Sequence, residues 1–131
     1  MYNVQKRSIL NYKSNIYIAK KLDVVQDEYL NQEVIYGKPI KYRFNVQGIS
    51  EDSEIREFGE NANSMMKAVI IDKAKYIGKF KEFDNVYIDT TPDGEVKNGE
   101  NADYRIYSVR NQNTSISLYF LKLVVDFGSF Q

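Results

Sequence analysis

The chain reads as a small, mainly β domain, a β-barrel or sandwich of about six or seven strands with one long inserted loop. Three observations predict this. Residues 40–47 alternate strictly, with Ile40, Tyr42, Phe44 and Val46 on one face and Lys41, Arg43, Asn45 and Gln47 on the other. That is the period-2 signature of a half-buried strand. Residues 83–125 read as strand, long acidic turn, strand, short polar turn, strand. Eleven Tyr and seven Phe against no Trp give an aromatic balance that suits strands.

Length and composition bound the rest. A chain of 131 residues is expected to form one domain, 1–131, large enough to bury a core without staples. Cys and His are both absent. The chain therefore has no disulfide, no imidazole base, no Ser-His or Cys-His nucleophile pair and few ligands for zinc. A non-catalytic role without a cofactor is expected. The formal net charge of zero argues against nucleic acid as the main partner. The start, Met1-Tyr2-Asn3-Val4-Gln5-Lys6-Arg7, lacks the apolar run of a signal peptide. No stretch of about 18 apolar residues is present to span a membrane. The protein is expected to be made inside a cell.

The elements follow in order. Residues 1–15 are polar with scattered apolar positions and read as an N-terminal arm. Ile16-Tyr17-Ile18-Ala19 begins the first strand, and residues 20–25 continue it after a bend. Residues 33–36 form a short strand stopped by Gly37-Lys38-Pro39, since Gly and Pro break regular structure. After the alternating strand comes the segment 48–63, non-periodic and acidic, read as a long loop. Ser50-Glu51-Asp52-Ser53 offers a cap for a helical turn into 55–58. Met65-Met66-Lys67-Ala68-Val69-Ile70-Ile71 fits a helix face or a buried strand, and strand is preferred because its neighbours are strands. Residues 73–81 are then a short helical or irregular crossover. The final unit places strands at 85–89, 103–109 and 115–123, and residues 127–131 form a tail.

Charge is segregated along the chain. Glu51, Asp52, Glu54, Glu57 and Glu60 stand against Arg56 alone, and Lys67, Lys73, Lys75, Lys79 and Lys81 against Asp72 alone. Such blocks fit self-association, acidic face on basic face; solvated loops are the plain alternative. The acidic group, with Lys73, Lys75, Lys79 and Lys81, makes the candidate set for contacts between copies or for a channel loop.

Other patterns are weaker. Asp89, Thr91, Asp93, Gly94 and Glu100 fall at calcium-loop positions 1, 3, 5, 6 and 12. Thr91 at position 3, Pro92 at position 4 and strand-like flanks favour a solvated hairpin loop instead. Asp84, Asp89 and Asp103 sit at strand ends, where carboxylates usually form turns rather than acid–base pairs. Tyr42, Arg43, Phe44, Tyr104, Arg105 and Tyr107 are the residues a single-strand-binding barrel would use, but Tyr42 and Phe44 lie on the expected core face. No glycine-rich phosphate loop is present.

Four runs carry a family resemblance. They are Phe58-Gly59-Glu60, Met65-Met66-Lys67-Ala68-Val69-Ile70, Tyr76-Ile77-Gly78-Lys79-Phe80-Lys81-Glu82-Phe83-Asp84-Asn85-Val86-Tyr87-Ile88, and Ala102-Asp103-Tyr104-Arg105-Ile106-Tyr107-Ser108-Val109-Arg110-Asn111-Gln112. Together they resemble the head closure, head–tail connector or head–tail joining proteins in the neck of long-tailed bacteriophages. The likeness spans roughly residues 36–123 and rests on strand order with no chemical motif. It implies a small β-barrel that stacks as a ring of six or twelve copies on the portal or adaptor ring, holds the packaged DNA and meets the tail terminator. It also implies a virion protein made in the host bacterial cytoplasm, without catalytic residues, cofactors or a membrane partner. A tail terminator or tail completion ring, or a monomeric β-barrel module for nucleic acid or peptide, are the alternatives.

Overall fold

A computed structural model describes residues 13–123. Among these, seven strands form one antiparallel sheet and two more pair separately. The main sheet holds β1 (Ser14–Ala19), β4 (Ile40–Phe44), β5 (Val46–Gly48), β6 (Met65–Ile70), β7 (Asn85–Tyr87), β8 (Tyr104–Asn111) and β9 (Ile116–Lys122). The second pair is β2 (Lys21–Gln26) with β3 (Gln32–Tyr36). Helix α1 (Asp52–Phe58), a 3-10 segment (Gly59–Ser64) and the one-turn α2 (Lys73–Tyr76) complete the fold.

The strand order β4-β1-β7-β8-β9-β6-β5 makes the sheet curl. β4 and β5 lie on opposite edges, yet only Asn45 separates them in sequence. Seven flat strands at about 4.8 Å spacing would hold those edges roughly 29 Å apart. Two chain steps reach only ~7 Å. The sheet therefore bends round until one broken strand serves both edges, and the result is barrel-like.

The core fills that curl. Ile16 and Ile18 from β1, Ile70 from β6, and Leu118 and Phe120 from β9 are all fully or nearly fully buried. Each such side chain contributes about 1.5–3 kcal/mol by leaving water. Residues 116–120 of β9 are buried on both faces. Ile116, Leu118 and Phe120 point into the curl, while Tyr119 packs on the other face with Phe58, Ala62 and Met65. The rings of Tyr42, Phe44, Tyr76 and Phe80 pack together in and against this core, with centroids 5.1–6.1 Å apart.

The fold class is the expected one, with five differences of detail. The alternating run 40–47 is two strands, because Asn45 marks the turn from one sheet edge to the other. Ile40, expected inside, is 52% exposed because it lies at the end of β4. The segment 48–63, expected as a loop, is largely helical. Glu51 stands at the N-cap without a side-chain cap bond, acids at Asp52 and Glu54 favour the helix start, and Gly59 ends it at φ 57°. Residues 20–25 do not extend β1; they leave the main sheet and pair with β3. The arm expected at 1–15 lies outside the described residues up to residue 12, and Ser14 and Asn15 already belong to β1, opposite Phe44 and Arg43. The tail at 127–131 also lies outside.

Candidate functional site

The acidic candidates do not share one fate. α1 lies against the outer face of β9, so its side chains divide by helical phase. Glu54 points inward and is 6% exposed. Its Oε2 accepts hydrogen bonds from Lys67 Nζ at 2.7 Å and from the Tyr119 hydroxyl at 2.5 Å. Burial pushes the Glu54 carboxyl up, but these two bonds outweigh it and hold it below the usual carboxylate value. Burial likewise pulls Lys67 down, and the bond to Glu54 outweighs it and holds the amine up. Glu54 is thus an internal tie between α1 and the sheet, a correction to its expected place on an outward loop. Glu57 forms a two-pronged ion pair with Arg110 of β8. The Arg110 guanidinium in turn lies 4.8 Å from the Tyr119 ring centroid and 5.4 Å from that of Phe58. Only Glu51, Asp52 and Glu60 remain exposed and outside any ion pair among the described residues.

The lysine block clusters around α2. Asp72 caps it, accepting from the Lys75 amide at 3.3 Å. Lys75 and Lys79 lie 5.3 and 5.6 Å over the Tyr76 ring, and Lys73 Nζ donates to the Gln112 carbonyl at 2.5 Å. Lys73, Lys75, Lys79 and Lys81 meet no carboxylate in an ion pair among the described residues. Ile71 and Ile77 stand beside them, 83% and 53% exposed. The patch is therefore cationic and apolar together.

Between α1 and α2, at the β4–β5 bend, opens a cleft of about 900 Å³. Both signs line it: Lys13, Arg43, Lys67 and Lys75 with Glu51, Glu54 and Asp72. A lining of both signs suits a polypeptide of mixed charge better than a phosphate backbone.

The sequence placed strands at 20–25 and 33–36 but not their pairing with each other as a hairpin outside the main sheet. All of β2 and most of β3 are exposed on both faces. Its base is held firmly: the Gly37 amide donates to the Lys20 carbonyl at 2.8 Å, and the Lys21 amide to buried Asp84 at 2.9 Å. Asp84 also accepts from the Lys81 amide at 3.2 Å, and its burial pushes the carboxyl up. One side of the hairpin rests on the 89–101 loop. Lys97 pairs with Glu33 at 2.5 Å, and Tyr36 lies flush on Gly99. The alternation Lys21-Leu22-Asp23-Val24 marks a strand but does not record its partner.

The remaining candidates resolve into structure. Asp103 accepts from the amides of Ile88 and Asp89 at 2.9 and 2.8 Å, and Asp93 from the Glu95 amide at 2.9 Å. These carboxylates shape the hairpin loop, and no group of acids among the described residues is arranged to hold a metal ion. The basic-aromatic set does not converge. Phe44 and Tyr104 are buried, Tyr42 stacks on Phe44, Arg105 donates to Asn85 at 3.2 Å, and Tyr107 lies on the opposite, outer face against Phe58. A bulge in β8 between Ile106 and Ser108 turns Tyr107 out.

No protein family model and no curated protein matches the chain. The chain is similar to the solution structure of protein SF1141 from Shigella flexneri 2a, with a TM-score of 0.53 and 13% identity. The match covers 83% of this chain and 90% of that one. At that identity the likeness concerns the curled β architecture.

Proposed function

We propose that the chain is a structural virion protein that forms a ring in the neck of a long-tailed phage, closing the portal channel and docking the tail. The observation that carries this reading is the β2–β3 hairpin, a firmly anchored projection with apolar side chains on wet faces. A two-stranded hairpin is marginal by itself in water, and clustered exposed apolar groups mark interaction surfaces. The lysines around α2, without carboxylate partners among the described residues, and the exposed acids Glu51, Asp52 and Glu60 add a means of joining copies side by side. The resemblance of residues 36–123 to phage neck proteins supplies the setting. In that setting the partners are copies of the same chain, the portal or adaptor ring and the tail terminator. The exposed acids Glu51, Asp52 and Glu60 are the channel candidates, since carboxylates repel passing DNA rather than hold it.

A second reading, a monomeric module that binds a peptide of mixed charge, is favoured by the cleft at the β4–β5 bend. Light scattering after size exclusion, across a concentration series and with virion portal or tail fractions added, separates the two. A ring mass, or recruitment into a ring by those fractions, is the expected result. A monomer indifferent to concentration and to every virion component overturns the ring reading.

A further inference from the structure

We infer that the tip of the β2–β3 hairpin docks on the α2 patch of a neighbouring copy, so that subunits join head to tail. This rests on the ring reading above and names its contact.

The tip is built to present apolar groups. Residues 27–31 close the hairpin through Asp27, whose Oδ1 accepts from the amides of Tyr29 and Asn31 at 2.8 and 2.9 Å. The Asp27 amide itself donates to the Asn31 carbonyl at 2.9 Å. The turn is therefore ordered by its own bonds. Within it, Tyr29 and Leu30 are each 76% exposed. Leu30 has φ 67°, a left-handed conformation that Gly or Asn would adopt with less strain. A leucine kept there, in water, in a disfavoured backbone state, points to a use outside the monomer. Beside it Glu28 forms no hydrogen bond or ion pair among the described residues. The tip is thus apolar and acidic.

The α2 patch is its complement. Ile71 and Ile77 supply exposed apolar surface, and Lys75 and Lys79 supply exposed cations without carboxylate partners. Six residues of β2 carry the tip about 20 Å from its base. Because tip and patch are different surfaces, their contact is heterologous, and repeated contacts of that kind close into rings or run on as filaments. Charge complementarity selects a second copy as the occupant.

The test compares full-length chains by sedimentation velocity and size-exclusion light scattering. Tyr29→Ser with Leu30→Gly removes the apolar tip and relieves the left-handed strain, so thermal stability is expected to hold or rise. Self-association is expected to weaken at least tenfold. Glu28→Lys and Lys75→Glu/Lys79→Glu are each expected to weaken assembly, and the three changes together in one chain to restore it. If the tip variant assembles like the parent, the ring stands without this contact and the inference fails. If the charge swap does not rescue, the tip meets another surface and the inference fails. If the tip variant loses only its binding to portal or tail fractions, the hairpin serves a different virion protein and the inference fails. A parent chain that stays monomeric at every concentration and with portal and tail fractions added overturns the ring reading and the inference together.

Discussion

Glu54→Ala is the sharpest test of how α1 is held to the sheet. The substitution removes the acceptor for two donors at once, Lys67 Nζ at 2.7 Å and the Tyr119 hydroxyl at 2.5 Å. Tyr119 is only 3% exposed, so its hydroxyl is stranded, at about 1–3 kcal/mol. Breaking a fully buried ion pair costs roughly 3–5 kcal/mol. The Lys67 side chain keeps 19% exposure and rehydrates in part, which places the total nearer about 2–4 kcal/mol. For a chain of this size that lowers Tm by roughly 10 °C. Glu60→Ala, on the same segment but exposed, is expected to stay within about 0.5 kcal/mol of the parent. The acid dependence has a definite sign. The folded Glu54 carboxyl lies below its unfolded value, so its contribution is complete above about pH 4.3 and is lost as pH falls through the folded value. Urea unfolding of parent and Glu54→Ala should therefore show a constant gap from pH 6 to 8 and a shrinking one toward pH 3. Replacing all three partners (Glu54→Leu, Lys67→Met, Tyr119→Phe) should recover most of the loss, since no buried polar group is left behind. A Glu54→Ala variant no less stable than Glu60→Ala, or a gap that widens in acid, would refute the argument.

Other expectations follow from single contacts. Gly99→Ala places a Cβ 2.5 Å from ring carbons of Tyr36 at a backbone φ of 86°; a loss of about 1–3 kcal/mol in urea unfolding is expected, with faster amide exchange in β2 and β3. Asp103→Ala frees the Ile88 and Asp89 amides and should cost about 1–2 kcal/mol while exposing the 89–101 loop to limited proteolysis. Calcium is expected to leave Tm unchanged, because Asp93 and Glu100 of the loop are committed to backbone amides; a saturable rise in Tm on titration would contradict that. Arg110→Lys keeps the charge but loses the two-pronged pair with Glu57 and the stack on Tyr119, so stability should fall measurably, with no rescue at high salt.

The sequence by itself determined the material of the fold. Alternation at 40–47, the apolar runs at 65–71 and 115–123, and the turn chemistry between 89 and 101 were enough for a mainly β domain, barrel or sandwich, because strand period and turn preference are local properties. The acidic and basic blocks were equally plain. Their roles were decided only in three dimensions. Glu54 and Glu60 are alike in sequence, yet one is buried against Tyr119 and the other exposed, since burial depends on how α1 docks on a strand more than fifty residues further along the chain. Closure of the sheet at Asn45 follows from pairing one broken strand with β1 on one edge and β6 on the other. Local pattern does not record such distant partners. Nor does it record that residues 21–36 leave the barrel. That follows from which edges of the main sheet were already taken, with β1 occupied by β4 on one side and β7 on the other. The hairpin projects because the tertiary structure leaves it no edge beside β1 to join.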